Sequence, residues 1–344
     1  SYPDNRQPLC SPIGRRKGEA HKTGHYGQDM AEGRKSKPRP RPTRPIGLSS
    51  EGSPTKPNPI PVKMGEGWFL SAPLSNRLYQ KSALGKPVDG GIILTSEEIM
   101  FCHWHRHVPL EDGWVDSQLQ LDPDFAHKAV AYDVVRSAGE KVVPISGKWL
   151  RWSRESHPNK GDADAEVRWA RAREDLDIDD LLEWTESVSN DDMNAEFAIV
   201  DDEMDVTMYR MELIEPQGNL VPATRDDHPL LGVEHLSRKF LRDDELDWIN
   251  GVVNPVTDLF GELNSRGLLM RPGFKYGCRW RVYSTRVEED HAPFLMQMEE
   301  ESPKNWEGVC LSVRLAEGVN KGWVIAVNRS GWKFLLIRRH LPGR

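Results

Sequence analysis

The sequence predicts a mixed α/β (α+β) protein built from two tandem repeats, each closing in a mixed-sheet subdomain, behind a basic proline-rich tail. Three observations lead there. The same order of helix caps, apolar runs and turns recurs about 127 residues apart, as from Phe197 to Val324. The longest apolar runs, such as Trp323 to Val327, are strand-sized and far below the roughly 18 residues that cross a bilayer. Charge and proline are also unevenly shared along the 344 residues, a length that suits two or more domains.

Residues 1–63 hold 13 Lys+Arg against 5 Asp+Glu and 11 of the 25 prolines, including Lys37-Pro-Arg-Pro-Arg-Pro-Thr-Arg-Pro45. This segment lacks apolar periodicity, so it is expected to be a disordered tail. Its charge of +8 would raise affinity for a polyanion or simply solubilise the chain. The overall charge is −7, so the remainder carries −15. The opening Ser-Tyr-Pro-Asp-Asn-Arg has no secretion-signal pattern, and a cytoplasmic, non-membrane protein is expected. Cys10, Cys102, Cys278 and Cys310 lie far apart and are expected to be buried thiols, with neither disulfides nor a cysteine zinc site.

The first repeat is assigned residues 64–235, divided near residue 140 into subdomains of 64–140 and 141–235. Thr95-Ser-Glu-Glu98 is a capping box that opens a helix carrying His103-Trp-His-Arg-His107. His103 and His107 would share one face, yet no third ligand stands near, so no metal site is expected. Asp122 and Pro123 open the next helix, with Val130 and Val134 on a face and Gly139 at its close. Val142-Val143 is a strand and Gly147-Lys-Trp149 a turn beyond it. Residues 161–205 hold 17 Asp+Glu against 3 Lys+Arg. Leu176, Ile178, Leu181, Leu182 and Val188 nevertheless keep helical spacing there, which predicts an amphipathic helix with an acidic solvated face. Two strands, Phe197 to Val200 and Val206 to Tyr209, close the repeat around Asp201-Asp-Glu-Met-Asp205, on its face an ordinary acidic turn.

The second repeat spans 236–344, its last subdomain 267–344. Asn254 caps a helix, Pro255 fills its first position, Val256, Leu259, Phe260 and Leu263 form its apolar face, and Gly267 ends it. Residues 266–286 carry six basic residues and no acid. Alternation there puts Arg279, Arg281 and Tyr283 on one strand face, a face suited to phosphate. The last two strands, Val324 to Val327 and Trp332 to Leu335, match those of the first repeat. The long closing strands, Val206 to Ile214 and Lys333 to Arg339, are the edges expected to pair between repeats. On this matching Tyr283 and His291 fall near Ser156 and Asp164, and Lys321 falls on Asn194 or a neighbour, which leaves one repeat chemically silent.

Gly273-Phe-Lys-Tyr-Gly-Cys-Arg-Trp-Arg-Val-Tyr283, His291-Ala-Pro-Phe-Leu295 and Val313-Arg-Leu-Ala-Glu-Gly-Val-Asn-Lys321, with the apolar strand that follows, resemble the catalytic domain of the archaeal tRNA-splicing (tRNA-intron) endonuclease. The resemblance covers residues 267–344 well. Residues from Gly90 to Asn219 resemble the silent repeat of the family's two-repeat homodimeric members. It implies two tandem tRNA-intron-endonuclease-like repeats with nuclease-like C-terminal subdomains. It also implies a catalytic trio of Tyr283, His291 and Lys321, separated by 8 and 30 residues, a spacing a little short in the Tyr-to-His turn. The arginines that clamp a bulged base fall on Arg314 and on Arg338 or Arg339, with Arg279 and Arg281 as further RNA contacts. The acidic loop of Asp201, Asp202 and Glu203 would dock into a basic pocket of a second copy and fix a homodimer.

The implied activity is excision of introns from precursor tRNA by cutting at bulge-helix-bulge splice sites, leaving 2′,3′-cyclic phosphate and 5′-hydroxyl ends. No metal, cofactor or nucleotide is expected. The residue types suit the chemistry: an imidazole near pKa 6.5 donates a proton at neutral pH, and an ammonium group offsets charge growing on phosphorus. A phenol near pKa 10 serves as base only beside cations such as Arg279, Arg281 and Lys321, and a positional role is the alternative. Two rivals are a metal-dependent nuclease of restriction type, for which Val319 stands where a carboxylate belongs, and a non-catalytic RNA-binding or assembly subunit.

Overall fold

A computed structural model of the chain describes residues 58–341. Most of the predicted basic tail, with Cys10, lies outside them. The end of that tail belongs to the fold, because strand β1 starts at Val62, two residues before the predicted boundary.

The first layer is a small antiparallel sheet of β1 (Val62–Met64), β2 (Gly67–Ser71), β3 (Lys86–Val88) and β4 (Gly91–Leu94), in the order β1-β2-β4-β3. Helix α1 (Leu74–Ser82) joins β2 to β3. Helices α2 (Ser96–Arg106), α3 (Trp114–Leu121) and α4 (Phe125–Val135) follow. The capping box of α2 forms as its sequence predicts, with Glu98 accepting from the N–H of Thr95 at 2.9 Å. The histidines of α2 do not converge: His103 Nδ1 meets the carbonyl of Val108 at 2.9 Å, His105 meets Asp133 at 2.6 Å, and His107 is the left-handed C-cap. Helix α4 starts two residues later than predicted, since the Asp122 carboxylate accepts the Asp124 N–H in a turn before it. Its buried stripe is Ala129, Tyr132 and Val135, while Val130 and Val134 are only half-buried.

A ten-stranded sheet organises the remainder. Its first half comprises β5 (Lys141–Ile145), β6 (Lys148–Trp152), β7 (Ala165–Arg171), helix α5 (Ile178–Asn190), β8 (Asn194–Val200) and β9 (Val206–Ile214). A hairpin of β10 (Val233–His235) and β11 (Arg238–Phe240), then helices α6 (Asp243–Ile249) and α7 (Pro255–Ser265), lead to the second half. That half comprises β12 (Leu269–Pro272), β13 (Trp280–Tyr283), β14 (Phe294–Met298), helix α8 (Trp306–Glu317), β15 (Gly322–Asn328) and β16 (Trp332–His340). Both halves run antiparallel, antiparallel, parallel, antiparallel, with the helix in the parallel crossover. They join where β16 pairs antiparallel with β9, from Phe334 opposite Ile214 to His340 opposite Met208, as the two long closing strands predict.

The register corrects the internal alignment. Asp177 and Asn305 cap the two crossover helices, and Asn194 and Gly322 begin the strands that follow, an offset of 128 rather than 127 residues. The physical reason is the period of two: Phe197 shares a core with Ile325, whereas Val324 faces the other side. With Leu269 opposite Tyr283 and Lys141 opposite Trp152, the counterpart of Tyr283 is Trp152, not Ser156. The counterpart of Lys321 is Met193, the neighbour of Asn194.

One core spans both halves. Leu181 and Val188 of α5, Val309 and Val313 of α8, and Ile325 and Ile337 are buried together, and the Phe197 and Trp306 rings lie 4.2 Å apart. Each such side chain contributes about 1.5–3 kcal/mol on burial. On the opposite face a charged cluster crosses the seam. Glu196, fully buried, accepts from Arg151 Nε at 2.8 Å and Arg210 Nη2 at 2.7 Å, and His340 lies 3.2 Å away. Cys102 and Cys278 are buried as expected, but Cys310 is only half-buried, because it lies on the partly open side of α8.

Candidate active site

Three strands of the second half end or begin at one edge of the sheet. Val282 is paired with Phe294, and Phe294 with Gly322. One position further, Tyr283, Pro293 and Lys321 form a row. With strands about 4.8 Å apart, the Cα atoms of Tyr283 and Lys321 stand about 10 Å from each other. Trp323 opposite Ile337 carries the row on to Arg339.

Lys321 follows the end of α8. Asn320 takes the left-handed conformation, at φ 55°, and the Lys321 N–H reaches back to the Ala316 carbonyl at 3.0 Å, a Schellman-type closure. Gly322 beside it leaves room for its neighbours, since a Cβ there would lie 2.6 Å from Leu336 Cδ1 and the leucine would have to shift. The Lys321 ammonium donates to the Ala292 carbonyl at 2.7 Å, which ties it to the residue after His291. Burial, and then the charge of Arg281, hold its pKa below the ordinary lysine value, against the pull of Asp290.

His291 lies in the exposed loop between β13 and β14, its N–H donating to Asp290 Oδ1 at 2.7 Å. Its imidazole holds no hydrogen bond to another described residue and is free to meet a ligand. Tyr283 is different. Its ring is 5% exposed, and its hydroxyl oxygen accepts from Arg281 Nη1 at 3.0 Å.

The arginines separate. Arg281 shares the strand face with Tyr283, as the alternation predicts. Arg279 lies just outside β13 and turns to Glu301, with Nε–Oε2 at 2.8 Å, while its guanidinium sits 5.6 Å over Trp280. Arg338 and Arg339 join Lys321, Asn320, Pro293 and Glu317 around a cavity of about 380 Å³. Arg339 lies 3.9 Å from Glu317, both half-exposed, a weak pair. Arg314, exposed on α8, lines another cavity of about 670 Å³ together with Asp201, Asp202, Glu203 and Arg173. The acidic loop is partly engaged within the chain. Asp201 Oδ1 accepts the N–H groups of Glu203 and Asp205, both at 2.9 Å, and Asp202 pairs with Arg173.

This end of the sheet thus carries a phenol and an ammonium, with an exposed imidazole on the loop between β13 and β14, and the ammonium shares a cleft with two guanidiniums. Such a set suits a phosphodiester and proton transfer about it. Sequence reasoning missed the Arg281–Tyr283 bond, which the i, i+2 spacing permits, and the Ala292 carbonyl, for which no residue type gives a signal. At the equivalent edge of the first half stand Trp152, whose Nε1 donates to the Gly161 carbonyl at 2.9 Å, and Met193. Neither transfers a proton.

Residues 257–333 match the family described as tRNA intron endonuclease, catalytic C-terminal domain. The chain is also similar to curated relatives named tRNA-splicing endonuclease. The one from Picrophilus torridus is 26% identical over 269 residues, covering 72% of this chain and 85% of the relative. The one from Methanococcoides burtonii is 21% identical over 319 residues, covering 73% and 91%. The one from Methanopyrus kandleri is 30% identical over 122 residues, covering 35% and 62%.

Proposed function

We propose, from the premise that this chain is a tRNA-splicing endonuclease of the archaeal kind, that it excises introns from precursor tRNA by metal-independent transesterification. The observation that carries this reading is the edge where Tyr283, Lys321 and the His291 loop meet, inside the segment matched to the tRNA intron endonuclease catalytic domain.

In the proposed reaction the 2′-hydroxyl of the nucleotide before the cut attacks the adjacent phosphorus, and the bond to the 5′-oxygen breaks. The products are a 2′,3′-cyclic phosphate and a 5′-hydroxyl. Tyr283 meets the 2′-hydroxyl, as base or as positioning group, and His291 gives its proton to the leaving oxygen. Lys321, anchored on the Ala292 carbonyl, offsets the charge that grows on phosphorus. Arg338 and Arg339 flank the same cavity and are suited to hold unpaired bases, which guanidinium planes stack against.

The first half, with Trp152 and Met193 at the matching positions, is the silent repeat, and the second is catalytic. The substrate sites are bulge-helix-bulge junctions, and two active sites in a cytoplasmic homodimer measure the spacing between two bulges. The acidic loop serves that dimer through Glu203 more than through Asp201 and Asp202, whose carboxylates are engaged within the chain.

The test is incubation of the purified chain with an intron-containing precursor tRNA in excess chelator, followed by analysis of the ends. Cyclic phosphate and 5′-hydroxyl ends are expected, and a deoxyribose at the cut site should block cleavage while leaving binding intact. Activity that vanishes with chelator and returns with magnesium would overturn the reading. The same scaffold acting only as an RNA-binding subunit would bind the precursor without cutting it.

A further inference from the structure

Arg281 was expected among the RNA contacts, yet two of its five N–H donors are engaged inside the protein. Nε donates to the Pro272 carbonyl on β12 at 3.0 Å, and Nη1 donates to the Tyr283 hydroxyl oxygen at 3.0 Å. Its guanidinium carbon lies 5.7 Å from the centre of the Tyr283 ring. We propose that Arg281 is a positioning residue of the cleavage reaction, a strut that holds the Tyr283 hydroxyl at the end of β13. The inference rests on the reading of Tyr283 as the group that meets the 2′-hydroxyl.

The physical argument starts from what a guanidinium is able to do. It donates and never accepts, so the phenol oxygen must be the acceptor in this pair. One side of that oxygen is thereby occupied, and what remains of it, proton or lone pair, is left for a ligand. The ring itself is buried and the oxygen lies on its axis, but burial alone does not fix which way the hydroxyl hydrogen turns about the C–O bond. The strut does so from the same strand, two residues back, where alternation keeps both side chains on one face. The anchor on β12 holds the guanidinium in turn, so the geometry is set before RNA arrives. Such pre-organisation removes a cost the bound state would otherwise carry.

The first half of the chain lacks both members together. By the register that matches Tyr283 to Trp152, Arg281 matches Leu150. Strut and tyrosine are thus absent together from the half that carries Trp152 in the tyrosine's place.

The experiment is single-turnover cleavage of an intron-containing RNA, with affinity measured separately on the same RNA carrying deoxyribose at the cut site. Arg281→Met should lower the rate at saturating enzyme by about 10²-fold, the scale of a misplaced reacting group. Affinity should stay within about twofold, and Arg281→Lys should recover part of the rate. In a Tyr283→Phe background, Arg281→Met should cost almost nothing further, because the strut would have no oxygen left to hold. Weakened affinity with an unchanged saturated rate, or losses that multiply in the double variant, would overturn the strut and make Arg281 a phosphate contact. Should Arg281→Met fail to fold, Arg281→Lys reads the same split between rate and affinity. Wild-type cleavage by Tyr283→Phe alone would instead refute the role given to Tyr283, and the strut with it.

Discussion

Lys321 is held where burial and a neighbouring guanidinium both work against its charge, and the protein compensates with a carbonyl at 2.7 Å. That is an expensive way to place an ammonium, and it is consistent with a group needed at one point rather than for general attraction. His291 is placed by the opposite means, on an open loop with its ring unengaged, so its contribution should lie in the reaction and not in the fold. His291→Ala should therefore lower single-turnover cleavage by about 10²–10⁴-fold, the range for loss of a general acid, with melting temperature and RNA affinity essentially unchanged. Loss of affinity in parallel with rate would mark it as a binding residue instead.

At the scale of elements, α2 shows how a cap costs something as well as stabilising. Glu98 accepts from the N–H groups of Thr95 and Gly85, at 2.9 and 2.8 Å, and is 2% exposed. Burial outweighs those bonds and pushes its pKa up to about 7. A carboxyl raised in the folded state stabilises fully below its unfolded value near 4.5, and the benefit is lost as pH rises through about 7. Comparing Glu98→Gln with the natural chain between pH 5 and pH 8, their stability difference should move by about 2–3 kcal/mol, the natural chain losing ground at the higher pH. A pH-independent difference in denaturant melts would show that the carboxyl stays ionised throughout. The seam behaves differently. His340, depressed first by burial and held beside Glu196, weakens the fold only when it must take up a proton, as pH falls below its unfolded value near 6.5.

At the scale of the whole molecule, the acidic loop decides how two copies would meet. Its carboxylates are exposed, and their attraction to a basic pocket is screened over about 10 Å at 0.1 M salt. Replacing Asp201, Asp202 and Glu203 by Ala should shift the protein from dimer to monomer in sedimentation at moderate salt, with the Glu203 change carrying most of the effect. A dimer that survives the triple substitution would remove the loop from the interface. Arg314 shares a cavity with this loop rather than with Lys321, so its substitution should be read by dimer mass as well as by cleavage.

By itself the sequence determined the repeated order of elements, the caps at Thr95 and Asn254 and the alternating strand from Trp280 to Tyr283, because each is a local signal of residue type and spacing, whereas the three residues of the candidate site came from the resemblance of their motifs. Tertiary structure decided what depends on which side of a strand faces the core: the offset of 128, the pairing of Tyr283 with Trp152, and the buried stripe of α4. It also decided the partners of charge, sending Arg279 to Glu301, Arg281 to Tyr283 and Asp201 into its own loop. Local periodicity states which residues share a face, but a long side chain on that face chooses its partner from whatever strands and turns packing brings within reach.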